Sequence, residues 1–597
     1  MSAQNQSIAR MYKAPIMELL NGIWRGIPMR LLFSAVVVLP LALAGTVSAQ
    51  TGDPAPESAS GTQLREHPRV PARPSTLPKP RLIGEDATRL ARLYSGRHID
   101  VTTFHYDQMR TGWNQNETDL TPATVASSSF GLITTLTVDG NVFAQPLLVS
   151  GFVMPDSSIH DVLIIATGHN SVYAYDAQTY AILWQVNLGP SQSSNDVGCT
   201  DVLPEYGISS TPVIVRTAAN AATIYLVAAT EPSKNQFVAS VHALNLATGA
   251  DAIAPTVIAP TATLSNGKTL VFQPQNQWNR VGLAYNQGSL YVAIGSHCDN
   301  NSDGITGWLL AYNANLKLQN AFHTIETPNG NGALELASIW MSGFAPAIDE
   351  SGNVYVATGN GAFGAGQNNW GQSVIKLPPG LTSVTSYFTP SAWETLNAGD
   401  KDFGAGGVML LPAVAGQTGP PLAVAMGKSA TLYLLNRNSL GGIEPNDTGA
   451  LQALNAGLGG AGVWGGPAFY NGPSGPTVLL QTSSDALRAW KLAANGTPSL
   501  TKDVSGTSVG GFGGTMPIVS SNGALANTGV VWMIHRAYDP FDIEAYDAVK
   551  LGAPIFSAQI GKWSNAGHSN VFLTPMEANG RVYAPGYLVV QVYGLTP

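Results

Sequence analysis

Charge is what this sequence has least of: only 11% of its 597 residues are Asp, Glu, Lys or Arg. So small a share lacks the Lys and Glu richness of helical proteins. No basic cluster follows the N-terminal segment, and the formal net charge is −8. Both facts argue against a nucleic-acid partner, which a protein holds through its phosphates. Cysteine is nearly absent too. Cys199 and Cys298 are the only two, and no Cys-x-x-Cys-His occurs, so no covalent c-type haem is attached and no haem is expected. Neither the cysteines nor the histidines show metal-like spacing. The run Gly510-Gly511-Phe512-Gly513-Gly514 has no following Gly-Lys-Ser/Thr, which argues against a phosphate loop; it suits a close approach of backbones. Glycine is plentiful at 64 residues, as short strands joined by tight turns require.

Arg25 and Arg30 precede an apolar run from Leu31 to Ala44, which ends in the small residues Val47-Ser48-Ala49. These are the parts of a secretory signal peptide over residues 1–49, cleaved after Ala49, with an uncleaved anchor as the alternative. Residues 50–99 are rich in Pro and Ser, as in Pro71-Ala72-Arg73-Pro74, and read as a linker that buries little. Residues 100–597 form the folded unit. The chain is expected to be exported, periplasmic or secreted, where two cysteines suggest one disulfide. Two buried thiols remain the alternative, because bridging needs Cα atoms within about 7 Å.

A repeat organises the folded unit. Its clearest copy is Ser171-Val172-Tyr173-Ala174-Tyr175-Asp176-Ala177-Gln178-Thr179, closed by Leu183-Trp184. Alternating apolar residues make a strand, Asp-x-x-Thr makes a turn, and a second strand carries the Trp. Further copies begin near Val241, Leu309, Ser373, Leu432, Leu487, Ile543 and Val590, eight in all. Two more strand-like runs precede each copy. The expected fold is therefore all-β: an eight-bladed β-propeller of four-stranded antiparallel blades. The final copy lacks a fourth strand, and Phe130–Val138 is expected to supply it and close the ring, hiding the sheet edges. Two smaller all-β domains are the alternative.

The Tyr-Ala-Tyr-Asp-Ala-x-Thr…Trp unit resembles the repeat of the quinoprotein alcohol dehydrogenases and their relatives, the PQQ-repeat propellers. Tyr106-Asp107…Arg110-Thr111-Gly112-Trp113-Asn114 and Pro204-Glu205-Tyr206-Gly207-Ile208-Ser209-Ser210-Thr211-Pro212 are similar to motifs of an uncharacterised exported bacterial branch. The resemblance implies a site for PQQ and Ca²⁺ in the channel. Trp340 matches the tryptophan floor, Asn360 the asparagine metal ligand, and Lys428 the basic partner of the quinone. Asp402 is similar to the catalytic aspartate and a metal ligand, with Asp400 as the competing assignment. The third metal carboxylate falls near Asp303, and the adjacent Cys-Cys pair of many family enzymes is missing. Each of these residues also has a plain structural reading: Trp340 as blade packing, Asn360, Asp400 and Asp402 as turn residues, Lys428 as an ion pair between blades. Two functions follow. One is a non-redox propeller binding a small ligand or a protein partner. The other is a PQQ- and calcium-dependent dehydrogenase of an alcohol or sugar, passing electrons to a separate acceptor.

Overall fold

The computed structural model describes residues 99–328, 332–456, 461–536, 541–561 and 572–596. The expected signal peptide, and all of the linker but Ile99, lie outside the described residues.

Eight four-stranded antiparallel blades follow one another; the third sheet is extended by the short strand Gln277–Trp278 and the seventh by Trp113–Asn114, which pairs in parallel. The first comprises Leu147–Val153, Ile159–Ala166, Ser171–Asp176 and Ile182–Asn187. Blades two to seven span residues 213–257, 284–323, 347–388, 408–455, 468–509 and 518–561. The eighth takes Met576–Ala578, Arg581–Pro585 and Val589–Leu595 from the C-terminal end and Phe130–Thr137 from the other. Every repeat copy read from the sequence is the third strand of its blade. Ser171–Asp176 is buried at all six positions, because neighbouring blades cover both of its faces.

The turn chemistry is local and recurs. The Asp or Asn that ends the third strand accepts the backbone N–H two residues on. Asp176 does so from Gln178 at 2.7 Å, Asn245 from Ala247 at 2.8 Å, and Asn436 from Asn438 and Asp547 from Val549 at 2.9 Å. Such a side chain replaces one backbone partner of a tight turn. Trp184 then docks onto the next blade, donating from Nε1 to the Leu246 carbonyl at 2.8 Å. The receiving turn holds Gly249 at φ +71°, where a Cβ would stand 2.5 Å from the Trp184 ring, so only glycine admits the tryptophan.

The ring closes as expected. Phe130 pairs with Leu595 and Thr137 with Val589 in an antiparallel ladder, leaving the last blade no open edge on that side.

The segment before that strand lies on the axis, for it hydrogen-bonds to the innermost strand of all eight blades. Val101 pairs with Leu148 of the first blade, and the Thr102 carbonyl accepts from Ile214 of the second. Gln108 Nε2 donates to Tyr285 of the third, and its carbonyl accepts from Ile348 of the fourth. Met109, Thr111 and Gly112 accept from Leu410, Phe469 and Val519 of the next three. Asn114 Nδ2 reaches Glu577 of the eighth at 2.6 Å. Arg110, with no exposed surface, ties the segment together: it donates to the Pro346, Phe104 and Asp107 carbonyls and to Thr103 Oγ1. Phe104 and His105 stack with ring centres 4.2 Å apart, and Phe344 meets both edge-on at 5.0 Å, so the three rings fill the axis. The Arg-Thr-Gly-Trp-Asn motif is thus an axial plug.

Candidate functional site

Two equivalent loop positions on adjacent blades converge above the plug. Trp340 precedes the first strand of blade four (Ala347–Ile348), and Asn360 follows the second (Val354–Ala357). Asp400 and Asp402 precede the first strand of blade five (Val408–Leu411), and Lys428 follows the second (Leu422–Met426). The two blades therefore offer the same two corners to one spot. Gly359 and Gly427 make the approach possible. A Cβ on Gly359 would collide with Asp402 Oδ1, and one on Gly427 with the carbonyls of Asp402 and Phe403.

Asp402 sits at the centre with no exposed surface. Its Oδ1 accepts the Asn360 backbone N–H at 2.6 Å, and its Oδ2 lies 2.5 Å from Lys428 Nζ. Lys428 also donates to Asp400 Oδ1 at 3.1 Å. The ammonium stands 5.5 Å from the centre of the Trp340 ring and 5.8 Å from that of Trp464, so aromatic faces flank it. Burial alone would favour the neutral amine. The carboxylates of Asp402, Asp400 and Asp299 outweigh it and hold the ammonium above its ordinary pKa.

Asp299 joins the site, although in the sequence the triplet His297-Cys298-Asp299 is explained more simply by a disulfide at Cys298. Its carboxylate comes from a corner of blade three, and its ligand oxygen lies within 4.8 Å of those of Asp400 and Asp402. Solvent reaches Asp299 and Asp400, and Asp402 lies behind them. Although one side of Asp299 meets solvent, desolvation by the protein packed around its carboxylate, then the charge of Asp402, raises its pKa above the ordinary carboxylate range. Its one signal in the sequence was its place directly after Cys298.

The remaining expected residues are placed otherwise. Asp303 stands outside this group: it pairs with Lys268 at 3.0 Å and accepts the Leu334 N–H at 2.9 Å. Asn360 belongs to the site with its amide turned. Gln372 accepts the Phe403 N–H, which leaves its Nε2 to donate to Asn360 Oδ1 at 2.7 Å. Asn360 Nδ2 then donates to Asp400 Oδ1 at 2.8 Å. This hydrogen-bond logic makes Asn360 a clamp on the two aspartates, its oxygen facing away from them. Cys199 and Cys298 are bonded to each other, with Cα atoms 5.7 Å apart. Trp184, Trp490 and Trp532 are buried between blades, away from this site.

The donor set suits a divalent cation. Ca²⁺ binds carboxylate oxygens at about 2.3–2.6 Å, so two of its ligands lie up to about 5 Å apart, as the three aspartates do. Trp340 and Lys428 suit a flat ligand rich in oxygen.

No family model and no curated protein matches the sequence. Among solved structures, the quinohemoprotein alcohol dehydrogenase of Comamonas testosteroni is similar over 87% of this chain and 84% of its own, with a TM-score of 0.55 and 14% identity. The quinohemoprotein alcohol dehydrogenase ADHIIG of Pseudomonas putida HK5 is similar over 85% of this chain and 82% of its own, with a TM-score of 0.52 and 12% identity. At such identities the likeness is one of fold. The chain is an eight-bladed β-propeller with the fold of the quinoprotein alcohol dehydrogenases.

Proposed function

We propose that this chain is an exported propeller that binds a small, oxygen-rich molecule together with a divalent cation, without redox chemistry. The observation that carries this reading is the cluster of Asp299, Asp400 and Asp402, whose ligand oxygens lie within 4.8 Å of one another beside Lys428. An ion that displaces the Asp299 proton meets three carboxylates against one ammonium, an excess of negative charge that a divalent ion balances. Trp340 offers the ligand a flat face, and Lys428 offers it a donor.

Binding is favoured over oxidation by the state of Asp402. It has no exposed surface, and its two oxygens face Asn360 and Lys428. A general base must come within hydrogen-bond reach of the proton that it takes, and Asp299 and Asp400 stand between this carboxylate and solvent.

PQQ- and calcium-dependent oxidation of an alcohol or sugar is the second reading, favoured by Lys428 standing over Trp340 beside exposed Asp400. In that reading Trp340 would floor the quinone, Lys428 would hydrogen-bond its oxygens, and Asp299 and Asp402 would hold the ion. PQQ supplies a two-electron acceptor when bound. Asp400, the exposed carboxylate, takes the hydroxyl proton, and a separate carrier receives the electrons.

Titrating the purified chain with Ca²⁺ and PQQ, following tryptophan fluorescence and dye reduction, separates the readings. Calcium-dependent quenching without dye reduction supports binding. Dye reduction by alcohols, abolished in Asp400→Asn, supports oxidation. Neither signal would sink both.

A further inference from the structure

Asp299 reaches the cluster from a different blade than its companions, and what holds it there differs as well. Asp400 and Asp402 are fixed by Asn360 and Lys428, within the fourth and fifth blades. Among the described residues no hydrogen bond reaches the Asp299 carboxylate. Its backbone is unusual: Cys298 and Asp299 have φ of +48° and +44°, two successive non-glycine residues in the left-handed region. Such a conformation persists only where surrounding structure enforces it.

A disulfide and an aromatic cluster enforce it here. Cys298 is bonded to Cys199, which lies 99 residues earlier in the connection between the first two blades. Cys199 is buried, and its carbonyl and sulfur accept from Tyr206 Oη at 3.2 and 3.1 Å. His297, just before the turn, is stacked on Trp278 with ring centres 5.3 Å apart and meets Tyr206 edge-on at 4.4 Å. The side of the turn toward Cys199 is thus bolted to a rigid aromatic cluster, and the side carrying Asp299 projects toward Asp400 and Asp402.

We propose that the Cys199–Cys298 disulfide is the positioning element of the cation site, and that Asp299 is its third carboxylate. The bond transfers the rigidity of the Tyr206–Trp278–His297 cluster to the Asp299 carboxylate, which has no support of its own. Groups that only orient a ligand typically change metal affinity by about 10- to 100-fold when lost. This inference rests on the cation-binding reading above.

Terbium ion, a calcium-sized probe, titrated into the full chain and read by tryptophan-sensitised luminescence, tests it. The wild type is expected to bind, and Asp402→Asn and Asp299→Asn each to weaken binding about tenfold or more. Cys199→Ser with Cys298→Ser should match Asp299→Asn, and combining all three substitutions should cost nothing further. A glycine inserted between Cys298 and Asp299 keeps the bond and shifts the carboxylate, so it should weaken binding equally if the serine pair fails to fold. Terbium bound by the serine pair or by the insertion variant as tightly as by wild type overturns the inference. So do fully additive losses in the triple variant. Asp402→Asn losing affinity where Asp299→Asn does not would overturn this inference and spare the cation reading. A wild type that fails to bind terbium overturns both.

Discussion

Lys428 Nζ lies 2.5 Å from Asp402 Oδ2, and that carboxylate has no exposed surface. A buried ion pair adds little over an apolar pair of the same shape, but removing one partner strands the other charge. Lys428→Met is therefore expected to lower unfolding free energy by about 3–5 kcal/mol. Lys428→Met with Asp402→Asn should recover most of that loss. Urea denaturation of the three proteins measures it, and a single variant as stable as wild type would show that the pair is solvated.

Arg110 gathers the carbonyls of Pro346, Phe104 and Asp107 at 2.9 to 3.0 Å around the axial plug. Arg110→Met leaves these acceptors buried without their donor, at an expected cost of about 3 kcal/mol or more. Cleavage in brief proteolysis should then begin within residues 99–116. Loss of stability with first cuts elsewhere would separate Arg110 from the plug.

The closing strand makes a paired prediction, because a register shift between Leu132 and Thr134 turns Leu132 and Leu136, four residues apart, to opposite faces. Leu136 is 4% exposed and Leu132 is 50% exposed. Leu136→Ala is expected to cost about 2–4 kcal/mol, and Leu132→Ala about 0.5 kcal/mol or less. Equal effects in chemical denaturation would mean that the strand is not seated in the last blade as described.

Glu577 has no exposed surface and shares a hydrogen bond with Glu117, which also accepts from the backbone of Leu120 and Gly580. Burial first, then the negative charge of Glu117, hold the Glu577 carboxyl well above its ordinary 4.5. The hydrogen bonds to Glu117 outweigh its own burial and hold it below its ordinary value, so the proton shared by the pair resides on Glu577. Tyr106 and Asn114 are the other polar groups against it. Above pH 4.5 the unfolded chain gives up this proton and the folded chain keeps it. Stability contributed here is full below that pH and declines toward alkaline pH, by at most about 1.4 kcal/mol per pH unit. Glu577→Gln keeps a donor toward Glu117 and removes the slope. It should gain on wild type at pH 8 relative to pH 5, and an unchanged difference between those pH values would refute the assignment.

Most of the site was legible through the resemblance to the quinoprotein repeats, whose motifs Trp340, Asn360, Asp402 and Lys428 match in order along the chain. The structure brings them together because the same two corners of neighbouring blades meet at one spot. Gln372 was not legible. It acts by turning Asn360, and a hydrogen bond between two amides leaves no pattern of spacing. Asp303 looked suitable by position alone, but Lys268 and the Leu334 N–H hold it elsewhere.

The amino-acid order by itself determined the eight blades and their closure, because Asx turns, strand alternation and the Trp–Gly docking pair act between near neighbours. It also marked Arg110-Thr111-Gly112-Trp113-Asn114 as a motif without showing its use. Only the tertiary structure decided that this motif plugs the axis, and that Asp299 stands beside Asp400 and Asp402. Those two outcomes depend on contacts between residues roughly a hundred or more positions apart. Such contacts exist once the ring has closed, and no local preference encodes them.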